Sequence, residues 1–469
     1  MATAREAAPR QAFLRPDPAG GVVQLLIDHF RCPSHLAELN SKVDPLQPSG
    51  YFRFGSDTTC YGQCSSGIPR EHVTDPLHDA LPYVTAKGSA VEFPFDPIQV
   101  IENLHYERYL HNRPGMPAGR GAVRAIYYFL RPLMPVAVRR PLQRIYLRGW
   151  DQVPFPRWPV DRTADRILER LLAFAMKAGG VQRLPFIWFW PKGAPSCAIL
   201  THDVETAAGV DFCPQLMDLN DSFDIKASFQ IVPERRYAVE ESFLDSIRRS
   251  GFEINIHDLN HDCHLFRDRD EFLRRAERIN SYGRKFGARG FRSAVMYRNE
   301  DWFDALDFSY DMSIPNVAHL DPQRGGCCAV LPYFIGNLLE LPVTMTQDYS
   351  LFHVLRDYSI RHWKEQVSLI RAGHGLIHVG VHPDYLIERR ARAVYAELLR
   401  HLSGLRSRRE MWIALPGEVA AWWRLRRELE LVNDGRRWRI EGAGRERATL
   451  AYAVLANDEL TYEVEPASD

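Results

Sequence analysis

Between residue 195 and about residue 415, short apolar runs alternate with stretches whose apolar residues recur at helical spacing. Residues 197–201, 227–232, 253–257, 338–343, 376–381 and 411–414 read as strands. Residues 239–249 predict a helix, with Val239, Phe243, Leu244 and Ile247 on one face and Gly251 as its stop. Further helices are predicted over 270–286, with Phe272, Leu273, Ala276 and Ile279 inward, over 361–372, with Trp363, Val367 and Ile370 inward, and over 391–402. Such alternation predicts an α/β fold built on a mostly parallel sheet, open or closed into a barrel. In a barrel the chemistry gathers at the C-terminal ends of the strands.

The flanks have a different texture. Residues 1–190 mix short apolar runs with many prolines and predict an α+β or helical region, with strands near 50–55 and 88–95 and a helix over 161–177. An aromatic stretch at 185–191, closed by prolines, reads as cover for the edge of the next domain. After 191–415 comes a helix over 416–431, then short strands at 438–440, 449–454 and 460–464. Residues 416–469 are thus a small appendage, expected to pack on the central domain because so short a unit buries little core.

Composition narrows the class. In 469 residues, 45% are hydrophobic and 25% charged, which excludes wholesale disorder. Lys+Arg and Asp+Glu are both 59, so the chain lacks the basic excess of a dedicated nucleic-acid binder. The first twenty residues carry no apolar core behind a basic head, and no window resembles a transmembrane span. The eight cysteines show no disulfide-scaffold spacing. Together these features give the expectation of a cytoplasmic protein with reduced thiols. Residues 120–148 hold seven arginines and no acid. They read as two short helices with a solvated basic face, or as a peripheral contact to an anionic membrane or a phosphorylated carrier.

Ionisable residues cluster where the predicted strands end. Thr201-His202-Asp203-Val204-Glu205 ends one strand and His257-Asp258-Leu259-Asn260-His261 another. Gly290-Phe291-Arg292 follows a helix, Asp311 lies in a short strand-like piece, and His382-Pro383-Asp384 ends the strand at 376–381. Two histidines four apart meet on one side of a helical turn and suit one divalent metal. A carboxylate from another strand completes a triad that leaves room for water and substrate. Asp203 and Glu205, two apart in an extended strand, point the same way. Taken singly, each feature is ordinary: HxxxH arises by chance in a chain with 17 histidines, and acids at strand ends usually face water.

In this order the five motifs resemble the polysaccharide deacetylase family, also called the NodB-homology or carbohydrate esterase family 4 group. The resemblance covers about residues 195–415 and includes a strand end like the T-H-D-V-D form of one subgroup. It implies a distorted (β/α)7-type barrel. It implies a divalent metal, zinc by preference, on Glu205, His257 and His261. It implies Asp203 as general base, His382 as general acid, Arg292 holding Asp203, and Asp311 orienting His382. The second acid departs from the family's adjacent pair, being separated by Val204 and a glutamate; Asp203 is therefore the alternative ligand, which would undo its role as base. The activity implied is removal of an N-acetyl group from an amino-sugar glycan or a lipid-linked precursor. Hydrolysis of a non-sugar C–N bond and an inactive, scaffolding barrel are the other readings.

Overall fold

The computed structural model describes residues 21–44, 46–110, 147 and 149–466. Apart from Leu147, the basic stretch at 120–148 lies outside them. Among the described residues no helix is long and apolar enough to cross a membrane.

Among the described residues, the first element of the N-terminal region is a helix at Gly21–Phe30. Strands β1 (Glu38–Ser41), β4 (Thr85–Lys87) and β5 (Ala90–Phe93) form one small sheet, and β2 (Gly50–Arg53) pairs with β3 (Thr59–Gly62). Asp96 caps the helix Pro97–His105 by accepting from the amides of Ile98 and Gln99. The helix Thr163–Ala178 follows, and then β6 (Arg183–Ile187).

The central sheet contains β7 (Cys197–Val204), β8 (Ser228–Ile231), β9 (Glu253–His257), β10 (Gly290–Arg292), β11 (Tyr310–Asp311), β12 (Tyr333–Ile335), β13 (Leu338–Glu340), β14 (Leu376–Val381) and β15 (Trp412–Ile413). Its order is β12-β13-β11-β10-β9-β8-β7-β14, with β15 also beside β7. Every pairing in it is parallel except β12 with β13. Every residue of β7 and β14 is buried, as expected of strands covered on both faces. The sheet curls until its ends approach. The Met345 amide donates to the His378 carbonyl at 3.2 Å, and the Leu376 amide to the Val330 carbonyl at 2.8 Å, across a seam that no strand ladder closes.

The helices around this sheet follow the apolar periodicity, except that Leu273, expected to face inward, is exposed while Phe272, Ala276 and Ile279 are buried. Arg269–Phe286 is capped by Asp268, which accepts from the Glu271 amide, and ends at Gly287 with φ 64°, a left-handed stop that suits glycine. One helix, Ala207–Asp221, has no counterpart in the sequence reading. Pro214 sits inside it, and a proline within an apolar stretch reads as a break.

The two flanks meet each other as well as the sheet. In the C-terminal part, β16 (Glu430–Asn433) pairs with β17 (Trp438–Glu441), while β18 (Leu450–Ala456) lies between β19 (Glu459–Val464) and β6. The aromatic stretch near 185–191 is thus partly a strand. Arg426, 2% exposed on the helix Pro416–Glu428, donates to the carbonyls of Ile187, Trp188, His29 and Phe30. The N-terminal region also grips the central domain. Glu107 forms a buried ion pair with Arg298, Tyr109 Oη donates to the Gly326 carbonyl at 2.6 Å, and Asp165 accepts from the Val330 amide at 2.9 Å.

Candidate active site

Glu205 follows directly on β7, and its Oε1 lies 2.7 Å from His261 Nε2, 3.4 Å from His257 Nε2 and 3.3 Å from His382 Nε2. His257 is the last residue of β9, and its Nδ1 lies 3.2 Å from the Arg292 carbonyl, which fixes the ring with Nε2 facing Glu205. His261 does not reach the site on a helical turn. Asp258 (φ 56°) and His261 (φ 54°) are left-handed, so the chain doubles back in a loop and brings the two imidazoles to a centroid distance of 4.9 Å. One donor atom from each of Glu205, His257 and His261 lies within 4.8 Å of the others.

These three residues fit a metal ion. Despite its 2.7 Å approach to Glu205 Oε1, His261 Nε2 makes no hydrogen bond of acceptable geometry, although it is buried. A buried imidazole nitrogen left without a hydrogen bond beside a carboxylate suits a cation shared by the two. Two imidazoles and one carboxylate are a donor set that zinc accepts. Burial works against the Glu205 carboxylate, but the His261 and His382 rings outweigh it and hold Glu205 well below the usual carboxylate range.

Asp203, two residues earlier and buried, belongs to a different constellation. Arg292 Nη1 donates to both its oxygens, at 2.9 and 3.1 Å, and its Nε donates to the Met312 carbonyl at 3.0 Å. Burial would raise the Asp203 carboxyl; the guanidinium overrides it and keeps Asp203 below its ordinary value. The other face of Arg292 is set by His378, whose Nε2 is 2.6 Å from Nη2. Because arginine only donates, that Nε2 is the accepting nitrogen, leaving the Nδ1 proton for the carbonyls of Leu341 and Pro342. Burial and the Arg292 charge push His378 down to about 3, so it stays neutral. His202 points away from this group and into the helix layer, with Nε2 2.9 Å from Asn220 Nδ2.

His382 lies just beyond β14. Its Nδ1 contacts Asp348 Oδ1 at 2.7 Å, and its backbone amide donates to Asp348 Oδ2 at 2.7 Å. Burial opposes protonation, but the carboxylates of Asp348 and Glu205 hold His382 well above the ordinary imidazole value. The expectation that Asp311 orients His382 is therefore corrected. Asp311 accepts from the Ser313 amide and hydroxyl at 2.7 and 2.8 Å, and its carboxyl shares a hydrogen bond with Glu340. Ser313 Oγ in turn accepts from the Ser293 amide, so Asp311 braces the chain leaving Arg292. The parallel register sets Asp311 beside Phe291 and Glu340, and leaves the role at His382 to a loop residue.

Asp348 and His378 were missed at the sequence level. Asp348 ends Thr346-Gln347-Asp348 in the loop after β13, where a single acid carries no signal. His378 sits at the third position of an apolar strand and faces the same way as Gly380 and His382, an alternation that was available to find it.

No protein-family profile matches the chain, and no curated protein matches it. Solved structures do. A proposed polysaccharide deacetylase from Mycobacterium smegmatis aligns at 19% identity and TM-score 0.41, over 51% of this chain and 93% of that one. A probable polysaccharide deacetylase from Pseudomonas aeruginosa PAO1 aligns at 13% and 0.41, over 50% and 92%. PuuE allantoinase aligns at 14% and 0.40, over 50% and 92%. At 13–19% identity and TM-scores of 0.40–0.41 these likenesses assign no activity to this chain.

Proposed function

We propose that this protein is a metal-dependent hydrolase that removes the N-acetyl group from an amino-sugar glycan or glycan precursor. The observation that carries the reading is the clustering of Glu205 with His257, His261 and His382, with Asp203 close enough to feel the charges of His257 and His382. Asp203 is bound by Arg292 and His382 by Asp348. That set contains what amide hydrolysis needs: a metal-ligating triad, a carboxylate base and a protonated acid.

Glu205, His257 and His261 would hold the ion, with zinc the best match to the donors. When bound, a divalent ion supplies Lewis acidity and makes water acidic enough to ionise near neutral pH. Asp203, kept anionic by Arg292, takes the proton from the attacking water. Neutral His378 holds the second arm of Arg292, so the guanidinium stays fixed as Asp203 changes charge. His382 delivers its Nε2 proton to the departing amine, and Asp348 fixes the ring and stabilises its charged form.

The reading is tested by acetate release from N-acetylglucosamine-containing glycans, with small amides as the comparison. Metal-dependent acetate release that is lost in Asp203→Asn supports it. Hydrolysis of small amides alone would move the activity to a non-sugar C–N bond. A chain that holds no metal and releases nothing would be a scaffold.

A further inference from the structure

His382 has an aromatic flank. The Tyr385 ring lies 4.7 Å from the His382 ring, centroid to centroid, at an inclination of 39°. The Tyr385 amide donates to the His382 carbonyl at 3.1 Å, so one turn beyond β14 carries both side chains. His353 meets the Tyr385 ring edge-on at 5.0 Å, and the Tyr349 ring lies 5.8 Å from it. Both come from the segment after Asp348, the residue that fixes His382. Part of that segment, Ser350–Leu355, is a π-helix, a rare form that occurs frequently at functional sites. Two loops thus bring three rings together beside the group assigned as general acid.

These rings are not part of the core. Trp363 and Tyr395 are fully buried, whereas Tyr349, His353 and Tyr385 are each half-buried. The hydroxyl of Tyr385 is also unspent. Tyr395 Oη donates to Asn220 Oδ1 at 2.8 Å, and Tyr237 Oη donates to the Val204 carbonyl at 2.7 Å. Among the described residues Tyr385 Oη makes no hydrogen bond, and it reaches solvent. Burial, then the charges of Glu205 and Asp384, holds this hydroxyl well above the ordinary phenol range, so it keeps its proton and can donate.

The position of His382 says what would lie there. A general acid must come within hydrogen-bond reach of the leaving nitrogen. In an N-acetyl amino sugar that nitrogen is bonded directly to a carbon of the sugar ring. With the nitrogen at His382, the sugar ring is brought to the neighbouring aromatic wall. A pyranose presents C–H faces that pack on an aromatic ring and hydroxyls that accept from a phenol.

We propose that Tyr385, backed by Tyr349 and His353, binds the sugar ring that carries the scissile acetamide, packing against that ring and donating its hydroxyl to one of the ring's own hydroxyls. The proposal rests on the deacetylase reading and adds to it the contact that selects a sugar.

The test uses tetra-N-acetylchitotetraose as probe. Tyr385→Phe keeps the aromatic ring and removes the hydroxyl, and Tyr385→Leu removes both. In calorimetry on an Asp203→Asn background, Tyr385→Phe is expected to weaken binding about threefold to tenfold, the loss of one hydrogen bond, and Tyr385→Leu to weaken it further. With Asp203 intact, the Tyr385→Phe loss should fall on KM for acetate release and leave the alkaline limb of the kcat profile in place, because a ring still flanks His382. Equal binding and equal KM in Tyr385→Phe, or no binding of the oligosaccharide at all, would overturn the proposal. So would an effect confined to kcat and its alkaline limb, which would make Tyr385 a support for His382 rather than a contact to substrate. Absence of acetate release, with binding that still weakens in Tyr385→Phe, would overturn the deacetylase reading and leave the sugar contact standing.

Discussion

Asp348→Asn separates the two acids that competed for the same role. Asp348 is fully buried and accepts two hydrogen bonds from His382, each 2.7 Å long. An asparagine of nearly the same shape sets one NH2 group against a histidine N–H, so either the ring takes the wrong tautomer or one bond is lost. A hydrogen bond to a charged group is worth ~1.5–3 kcal/mol, and the stabilisation of charged His382 goes with it. A combined loss of ~3–4 kcal/mol corresponds to a fall in kcat of about 10²–10³. The pH dependence has a defined sign. As general acid, His382 works protonated, and Asp348 raises its pKa, so removing the carboxylate moves the alkaline limb of the kcat profile to lower pH. The assay is acetate release from pH 5 to 10 at saturating substrate. Asp311→Asn is the control. Its carboxyl already shares a hydrogen bond with Glu340, which asparagine can keep, and activity within about threefold of wild type is expected because the substitution removes no contact to His382. A silent Asp348→Asn beside a crippled, acid-shifted Asp311→Asn would refute the reasoning.

Three further outcomes follow from other contacts. Asp203→Asn should abolish measurable acetate release while bound metal, read by elemental analysis, is retained; loss of the metal instead would make Asp203 a ligand. Glu107→Ala leaves buried Arg298 with only the more distant Glu300, at 3.9 Å, as a carboxylate partner and should cost ~3 kcal/mol in urea unfolding, whereas a loss below ~1 kcal/mol would mean that this ion pair does not hold the N-terminal region in place. Burial pushes Asp165 up to about 7, so between pH 4 and pH 7 the folded state keeps a proton that the unfolded state has released. Stability contributed by Asp165 therefore falls as pH rises through that window, by ~4 kcal/mol at ~1.4 kcal/mol per unit. Asp165→Asn should gain stability relative to wild type between pH 5 and pH 8, and a difference that does not change with pH would contradict this account.

The central sheet was legible because its strands are buried on both faces and its helices carry apolar stripes, both of which are local signals. Residues 253–257 and 376–381 were read with the bounds the fold gives them. The candidate site was legible where its residues share a short motif, as in His257 with His261, or Asp203 with Glu205. Even there the geometry differed, since His261 arrives through left-handed backbone that spacing does not encode. What was hidden depends on tertiary register. Whether Asp311 or Asp348 meets His382 is decided by which loop crosses the mouth of the sheet, and a lone acid in a loop says nothing about that. The pairing of β6 with β18, residues separated by most of the chain, is invisible for the same reason.

The claim on which the rest depends is that one ion sits among Glu205, His257 and His261. Elemental analysis of purified protein, loaded with zinc and dialysed, tests it directly when wild type is compared with the His257→Ala/His261→Ala double variant. About one zinc per chain in wild type and almost none in the double variant is the expected result for a single site with these donors. Full retention of zinc in the folded double variant, or acetate release by a wild-type chain that binds none, would contradict the account.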